Sequence, residues 1–167
     1  MTWADRRREL QLIIEVTDKM NHQGALKQYN QIRAHVQTEG ASPHRLIQIL
    51  MDGAIEKIRV AKAAMDRHDI PEKVRHIDWA LSIIDGLRQS LDMERGGEIA
   101  SNLEALYDYM QRRLIVANAE NDPSLLIEVV GLIQEIKSAW DAVPDILNKD
   151  SQSNTAEFGQ SVIASSS

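Results

Sequence analysis

Side chains able to do acid–base or metal chemistry are few and scattered in this chain. Helical bundles build di-iron sites from inward Glu residues and from Glu-x-x-His pairs three apart. Glu72 and His76 come nearest, but they stand four apart and no Glu falls on the other apolar stripes, so they read as a solvated first-turn pair. His44 follows Pro43 in another first turn, where packing or surface contact suits it better than catalysis. Five histidines, no cysteine and no Ser/His/Asp arrangement give no nucleophilic triad. Gly96-Gly97 is followed by Glu98 and not by Lys-Ser/Thr, so it is no phosphate loop. Arg6-Arg7-Arg8 is diluted by Asp5 and Glu9 to a solvated basic run. No catalytic residue, cofactor site or metal site emerges, and an enzyme is the weakest reading.

What the chain does offer is large side chains in excess of a single core stripe. Ile47, Ile55, Trp79, Tyr107, Tyr109 and Trp140 all flank helical apolar rows. Bundle helices carry apolar stripes more than about 100° wide, so such residues can simply widen a core. Tyr and Trp also bury large area while keeping a polar handle, which suits them to interfaces. A groove between bundle helices can take an amphipathic helix by anchors spaced i, i+3, i+4 and i+7. These six are the candidate groove residues.

The elements that would position them are helices. The 167 residues suit one domain, and 43% hydrophobic content with only 4% aromatics requires an aliphatic core. A net charge of −6 argues against a nucleic-acid binder that relies on phosphate contacts. No apolar run approaches the roughly 20 residues that span a bilayer, and the N-terminus lacks a signal-peptide core. The absence of Cys suits a reducing cytoplasm, so the cytosol is the expected location.

Residues 1–19 form a charged extension, and residues 20–41 hold a short helical pattern at Leu26, Tyr29, Ile32 and Val36. That piece is too short to be stable alone, so it packs on a neighbour or moves. Ser42-Pro43 is a hydroxyl cap followed by Pro at the first helical position. The helix it starts carries Leu46, Leu50, Ala54, Ile58, Ala61 and Met65, with Gly53 inside it. A second helix follows the break at His68-Asp69-Ile70-Pro71, with Val74, Ile77, Leu81, Ile84, Leu87 and Leu91 in its stripe. Residues 92–97, DMERGG, connect it to a third, whose stripe is Ile99, Leu103, Leu106, Met110, Leu114 and Ala117. The last helix starts at Asn121-Asp122-Pro123, carries Leu125, Val129, Leu132, Ile136 and Val143, and is expected to stop at Pro144. The polar, Ser-rich residues 148–167 cannot bury enough apolar surface to offset their ordering entropy and are expected to be a disordered tail. Four helices with short breaks predict an all-α, antiparallel up-down-up-down four-helix bundle over 42–147, with a short N-terminal helical segment and that tail.

Three blocks in order carry a resemblance. They are Ala41-Ser42-Pro43-His44-Arg45-Leu46-Ile47 with Asp52-Gly53-Ala54, then Ile83-Ile84-Asp85-Gly86-Leu87, then GGEIA-x-NL-x-ALYDYM-x-RRL-x-x-AN from Gly96, closed by Asn121-Asp122-Pro123. Together they resemble the FliS family, the bacterial flagellar secretion chaperones that bind flagellin, over about Met20 to Val143. The resemblance implies a client, the C-terminal segment of flagellin, which is kept from premature polymerisation and folds as it wraps the bundle. It also implies a second partner, the cytosolic domain of the export-gate protein FlhA, and no cofactor. By the same resemblance Leu26 and Tyr29 sit in a segment that covers part of the client groove in the free chaperone and serves the export gate once displaced. A weak homodimer stays open. A bundle adaptor or regulator that binds some other amphipathic helix is the alternative.

Overall fold

Each helix starts where a short polar side chain can take over an orphaned backbone donor. The structure, a computed structural model, describes residues 42–164 together with Asn30 and Ala34, and describes side chains as far as Asp145. Ser42 caps helix α1 (Pro43–Asp66) by accepting from the Arg45 amide at 3.2 Å. Asp69 caps α2 (Ile70–Gln89) through the Glu72 amide, and Asp92 caps α3 (Met93–Glu120) through the Arg95 amide at 2.9 Å. Asn121, in the left-handed region at φ 52°, ends α3, and Pro123 opens α4 (Pro123–Ala164). No strand occurs among the described residues.

Connections of two or three residues force each helix to run antiparallel to the one before it. Consecutive helices pack on one another and α1 packs on α4, which closes the expected up-down-up-down bundle. The core is aliphatic, with Leu50, Ile58, Ile77, Ile84, Leu87, Met110, Leu114, Leu126, Val129 and Ile133 almost fully enclosed. Each such side chain contributes on the order of 1.5–3 kcal/mol.

Four expectations need correction. The α3 stripe is rotated: Ile99 is 73% exposed and Leu106 only half-buried, whereas Ala100 and Tyr107 point inward. Both phases share Leu103, Met110, Leu114 and Ala117, and the larger Tyr ring at the contested position covers more area than Leu. The DMERGG connection is mostly helical, a capped turn that begins at Met93 and breaks at Gly97 (φ 50°, ψ −125°). Pro144 does not stop α4, which passes through it and whose bounds reach Ala164. Proline forfeits one hydrogen bond and crowds the preceding turn, a local cost at an exposed residue that leaves helix on both sides intact. The backbone of 148–164 lies within that helix, where a disordered tail is expected, while the side chains after Asp145 and nearly all of 1–41 lie outside the described residues. Finally, His76 is not solvated. It is buried, with Nε2 3.0 Å from Glu72 and its ring stacked on Trp79.

Candidate binding groove

At the end of the bundle where α1 and α3 begin and α2 ends, the four helices do not close on each other. They leave a solvent-open groove of about 950 Å³. Its floor and walls are apolar: Leu46, Ile47 and Met51 from α1, Leu87 and Leu91 near the end of α2, Ile99, Leu103 and Tyr107 from α3, Ile136, Trp140 and Val143 from α4. Polar groups stand among its lining residues, namely His44, Ser90, Asp92 and Arg95. The residues follow from the pattern already described, since they are the ends of the same stripes that meet in the core further along. At this end the opposing helix is too far away to cover them.

The α1–α4 wall is fixed by polar contacts. The Trp140 indole N–H donates to the His44 carbonyl oxygen at 3.1 Å, and the two rings stack at 5.0 Å and 13°. Beside them the Gln48 amide donates to Asp141 at 2.7 Å, and Lys137 bridges Asp141 (2.9 Å) and Asp52 (3.6 Å). The Lys137 ammonium and the Gln48 amide hold the Asp141 carboxyl below the usual carboxylate range, and Asp141 in turn raises Lys137. On the floor, burial pushes the Tyr107 hydroxyl up to about 12, so it stays protonated.

Of the six candidate residues, the structure brings three to the groove: Ile47, Tyr107 and Trp140. Tyr107 arrives as a buried floor residue, not as a flank. Ile55 lies in the core, 6% exposed. Trp79 packs half-buried against the core with Lys57 4.0 Å from its ring, away from the groove. Tyr109 is on the surface, where its hydroxyl donates to Glu128 while Arg113 grips the same carboxylate at 2.7 Å. The bond from Tyr109 and the Arg113 guanidinium keep Glu128 below its ordinary range. Leu26 and Tyr29 lie outside the described residues. Sequence reasoning missed Leu91 and Leu103 as groove residues, having assigned both to the core. Their signal was position, because Leu91 lies just past the end of α2 and Leu103 within two turns of the break at Gly97.

Among the described residues no three His, Asp or Glu side chains come together as metal ligands would. An apolar floor with a thin polar rim and one fixed wall suits the binding of an apolar face. Among the described residues no helix is long and apolar enough to cross a membrane.

The model of the family described as flagellar protein FliS matches residues 25–146. The flagellar secretion chaperone FliSB of Pseudomonas aeruginosa is 53% identical over 119 residues, which cover 71% of this chain and 94% of that protein. The flagellar secretion chaperone FliS of Vibrio cholerae is 47% identical over 72% of this chain and 89% of its own length. That of Salmonella typhimurium is 44% identical over 69% and 86%.

Proposed function

This chain belongs to the FliS family, and from that premise we propose that it is a non-enzymatic cytosolic export chaperone whose groove holds the C-terminal segment of flagellin. The observation that carries the proposal is the open apolar groove at the bundle end, in a protein whose relatives are named for secretion chaperoning. A helix about 10 Å across occupies roughly 80 Å³ per ångström of length, so about 950 Å³ holds roughly two turns. A longer client must therefore leave the groove and run over other surfaces. Ile115, Val116 and Ile127 are exposed apolar residues on α3 and α4 available for that. A client segment that is unfolded when free loses ordering entropy as it wraps, which subtracts from the contact energy.

In the same proposal the segment holding Leu26 and Tyr29 covers part of the groove in the free chaperone. The client displaces it, and the loaded form is handed to the cytosolic domain of FlhA. The client shifts this equilibrium because it competes with the covering segment for one surface. Co-purification with the cognate flagellin, full-length against a form lacking its C-terminal segment, tests the first step. Equal capture of both forms overturns it and favours the adaptor reading. For the second step, the double variant Leu26→Ala with Tyr29→Ala should bind flagellin equally or slightly more tightly and FlhA more weakly. Loss of flagellin with FlhA retained would reverse the assigned roles.

A further inference from the structure

The two walls of the groove are built differently. Parting α1 from α4 breaks the indole hydrogen bond, the His44–Trp140 stack and the Gln48–Asp141 bond. The facing wall is the turn Met93–Gly96, whose polar side-chain contacts are all internal: Asp92 accepts from the Arg95 amide at 2.9 Å and lies 3.7 Å from its guanidinium. Met93, Glu94 and Arg95 are exposed. The turn joins the rest of α3 through Gly97, whose φ of 50° and ψ of −125° belong to a region that L side chains rarely enter.

What surrounds Gly97 separates a hinge from a packing glycine. A Cβ built there meets no atom within 4 Å, so the position needs glycine for its backbone and not for room. At Gly96 the case is the opposite: a Cβ would stand 2.6 Å from the Ala100 Cβ, so the turn folds tightly over the buried start of the helix proper. Lids pivot on a few residues at element ends that absorb a change in φ and ψ, and here Gly97 and the 90–92 connection flank the turn.

We propose that the Met93–Gly96 turn is a lid that pivots on Gly97, and that an occupant enters the groove by moving this turn while the α1–α4 wall stays fixed. The role of the lid in client entry rests on the groove being the client site; the pivot itself does not. Swinging the turn carries its own cap bonds along and breaks none of the contacts of the opposite wall. Ile99, just beyond the pivot, lines the groove and is the most exposed large hydrophobic among the described residues, and it is the surface an occupant under the lid would cover.

The chain has no cysteine, so paired spin labels can be placed cleanly in the full-length protein. Glu56→Cys with Glu94→Cys reports the lid against α1, and Glu56→Cys with Ser138→Cys reports α1 against α4; all three positions are exposed. In the free protein the lid pair should give the broader distance distribution. A synthetic peptide of the C-terminal segment of flagellin at saturation should shift the lid pair and leave the wall pair in place. Without any peptide, Gly97→Ala should shift or narrow the lid-pair distribution, since alanine disfavours the positive φ, with the wall pair unchanged. A wall pair that moves on binding while the lid pair stays overturns the proposal, and so does a lid distribution unaltered by Gly97→Ala. If the peptide does not bind at all, the client reading fails, and the Gly97→Ala comparison still decides the pivot.

Discussion

Trp140 ties the last helix to the first by two separable contacts, and substitution can take them apart. Trp140→Phe keeps a ring over His44 but loses the indole N–H, a hydrogen bond of 3.1 Å whose net contribution is about 1 kcal/mol. His44→Ala leaves the accepting carbonyl, which is backbone, and loses the 5.0 Å stack, about 0.5–1.5 kcal/mol. Trp140→Ala removes both and with them roughly 100 Å² of apolar contact, so it should cost about 4–5 kcal/mol. Because the two side chains are in direct contact, the Trp140→Phe/His44→Ala pair should depart from additivity by about 0.5 kcal/mol or more. Urea unfolding followed by helix circular dichroism measures all four variants, and avoids the tryptophan emission that the substitutions alter. Calorimetry with the flagellin C-terminal peptide should show Trp140→Phe within about twofold of the parent, and Trp140→Ala weaker by about tenfold, the equivalent of 1.4 kcal/mol. If Trp140→Ala unfolds at the parental urea concentration, these contacts do not hold the wall, and the fixed side of the groove is misassigned.

Gly53→Ala should stabilise the bundle, because a Cβ there meets only the Ile83 Cδ1 at 3.6 Å and removes a glycine from a helix interior. The gain is about 0.5–1 kcal/mol, or about 2–6 °C in melting temperature; a fall would mean that α2 approaches more closely than ordinary contact. Met110→Asp buries an unpaired carboxylate at a fully enclosed site and should unfold the protein or leave it molten, whereas Leu106→Asp, at a half-buried site, should retain a cooperative melt. Equal loss from both would place the helix in the phase that the structure excludes. Acid should weaken the α1–α4 and α3–α4 seams through Asp141 and Glu128, whose carboxyls are held below their ordinary 3.8 and 4.5. Their stabilisation is complete above those values and is lost as the pH falls through the depressed ones, so the melting temperature should be level down to about pH 4.5 and drop below about pH 4. Both seams are exposed, so salt should blunt the drop; an unchanged melting temperature down to pH 2 would remove them as contributors.

Three of the four helix starts were legible because their causes are local. Ser42-Pro43, Asp69 ahead of Pro71 and Asn121-Asp122-Pro123 each combine a capping oxygen with a proline tolerated in the first turn, and no distant residue changes that arithmetic. The phase of α3 was less legible. Ile99 and Leu106 fit the spacing as well as Ala100 and Tyr107 do, and the choice depends on which neighbours face the helix after Gly97 breaks it. Trp79 looked like an interface residue because its large ring lies off the stripe; in the structure Lys57 and His76 cover it, and both come from packing that spacing does not encode. The groove was hardest to see, since it is made of stripe residues left without opposing partners. Leu103 in the groove and Leu114 in the core have the same sequence signal, and only the distance between helix ends separates them.

Connectivity explains why the groove lies at this end. A four-helix up-down-up-down chain has two connections at one end and one at the other. The end with two, at 67–69 and 121–122, is closed further by Lys73, which is 4% exposed and donates to the Asn118 carbonyl at 2.9 Å and the Asn121 side chain at 2.6 Å. Burial pushes the Lys73 pKa down, and the negative end of α3 supplies the neutral oxygens that keep it satisfied. The other end has only the 90–92 connection, and it is where the chain enters at Ser42. In the proposed function a segment joined at Ser42 would act on the groove at an effective concentration in the millimolar range, as a short link provides. A covering segment with a dissociation constant of about 0.1 mM would then occupy the groove roughly nine-tenths of the time and weaken client binding about tenfold. In the proposed function that is enough to shield the groove when no client is present, while a client bound at micromolar strength or better still displaces the segment. Strong contacts between the covering segment and the bundle would defeat the exchange, so a fragment too short to be a stable helix by itself suits the role.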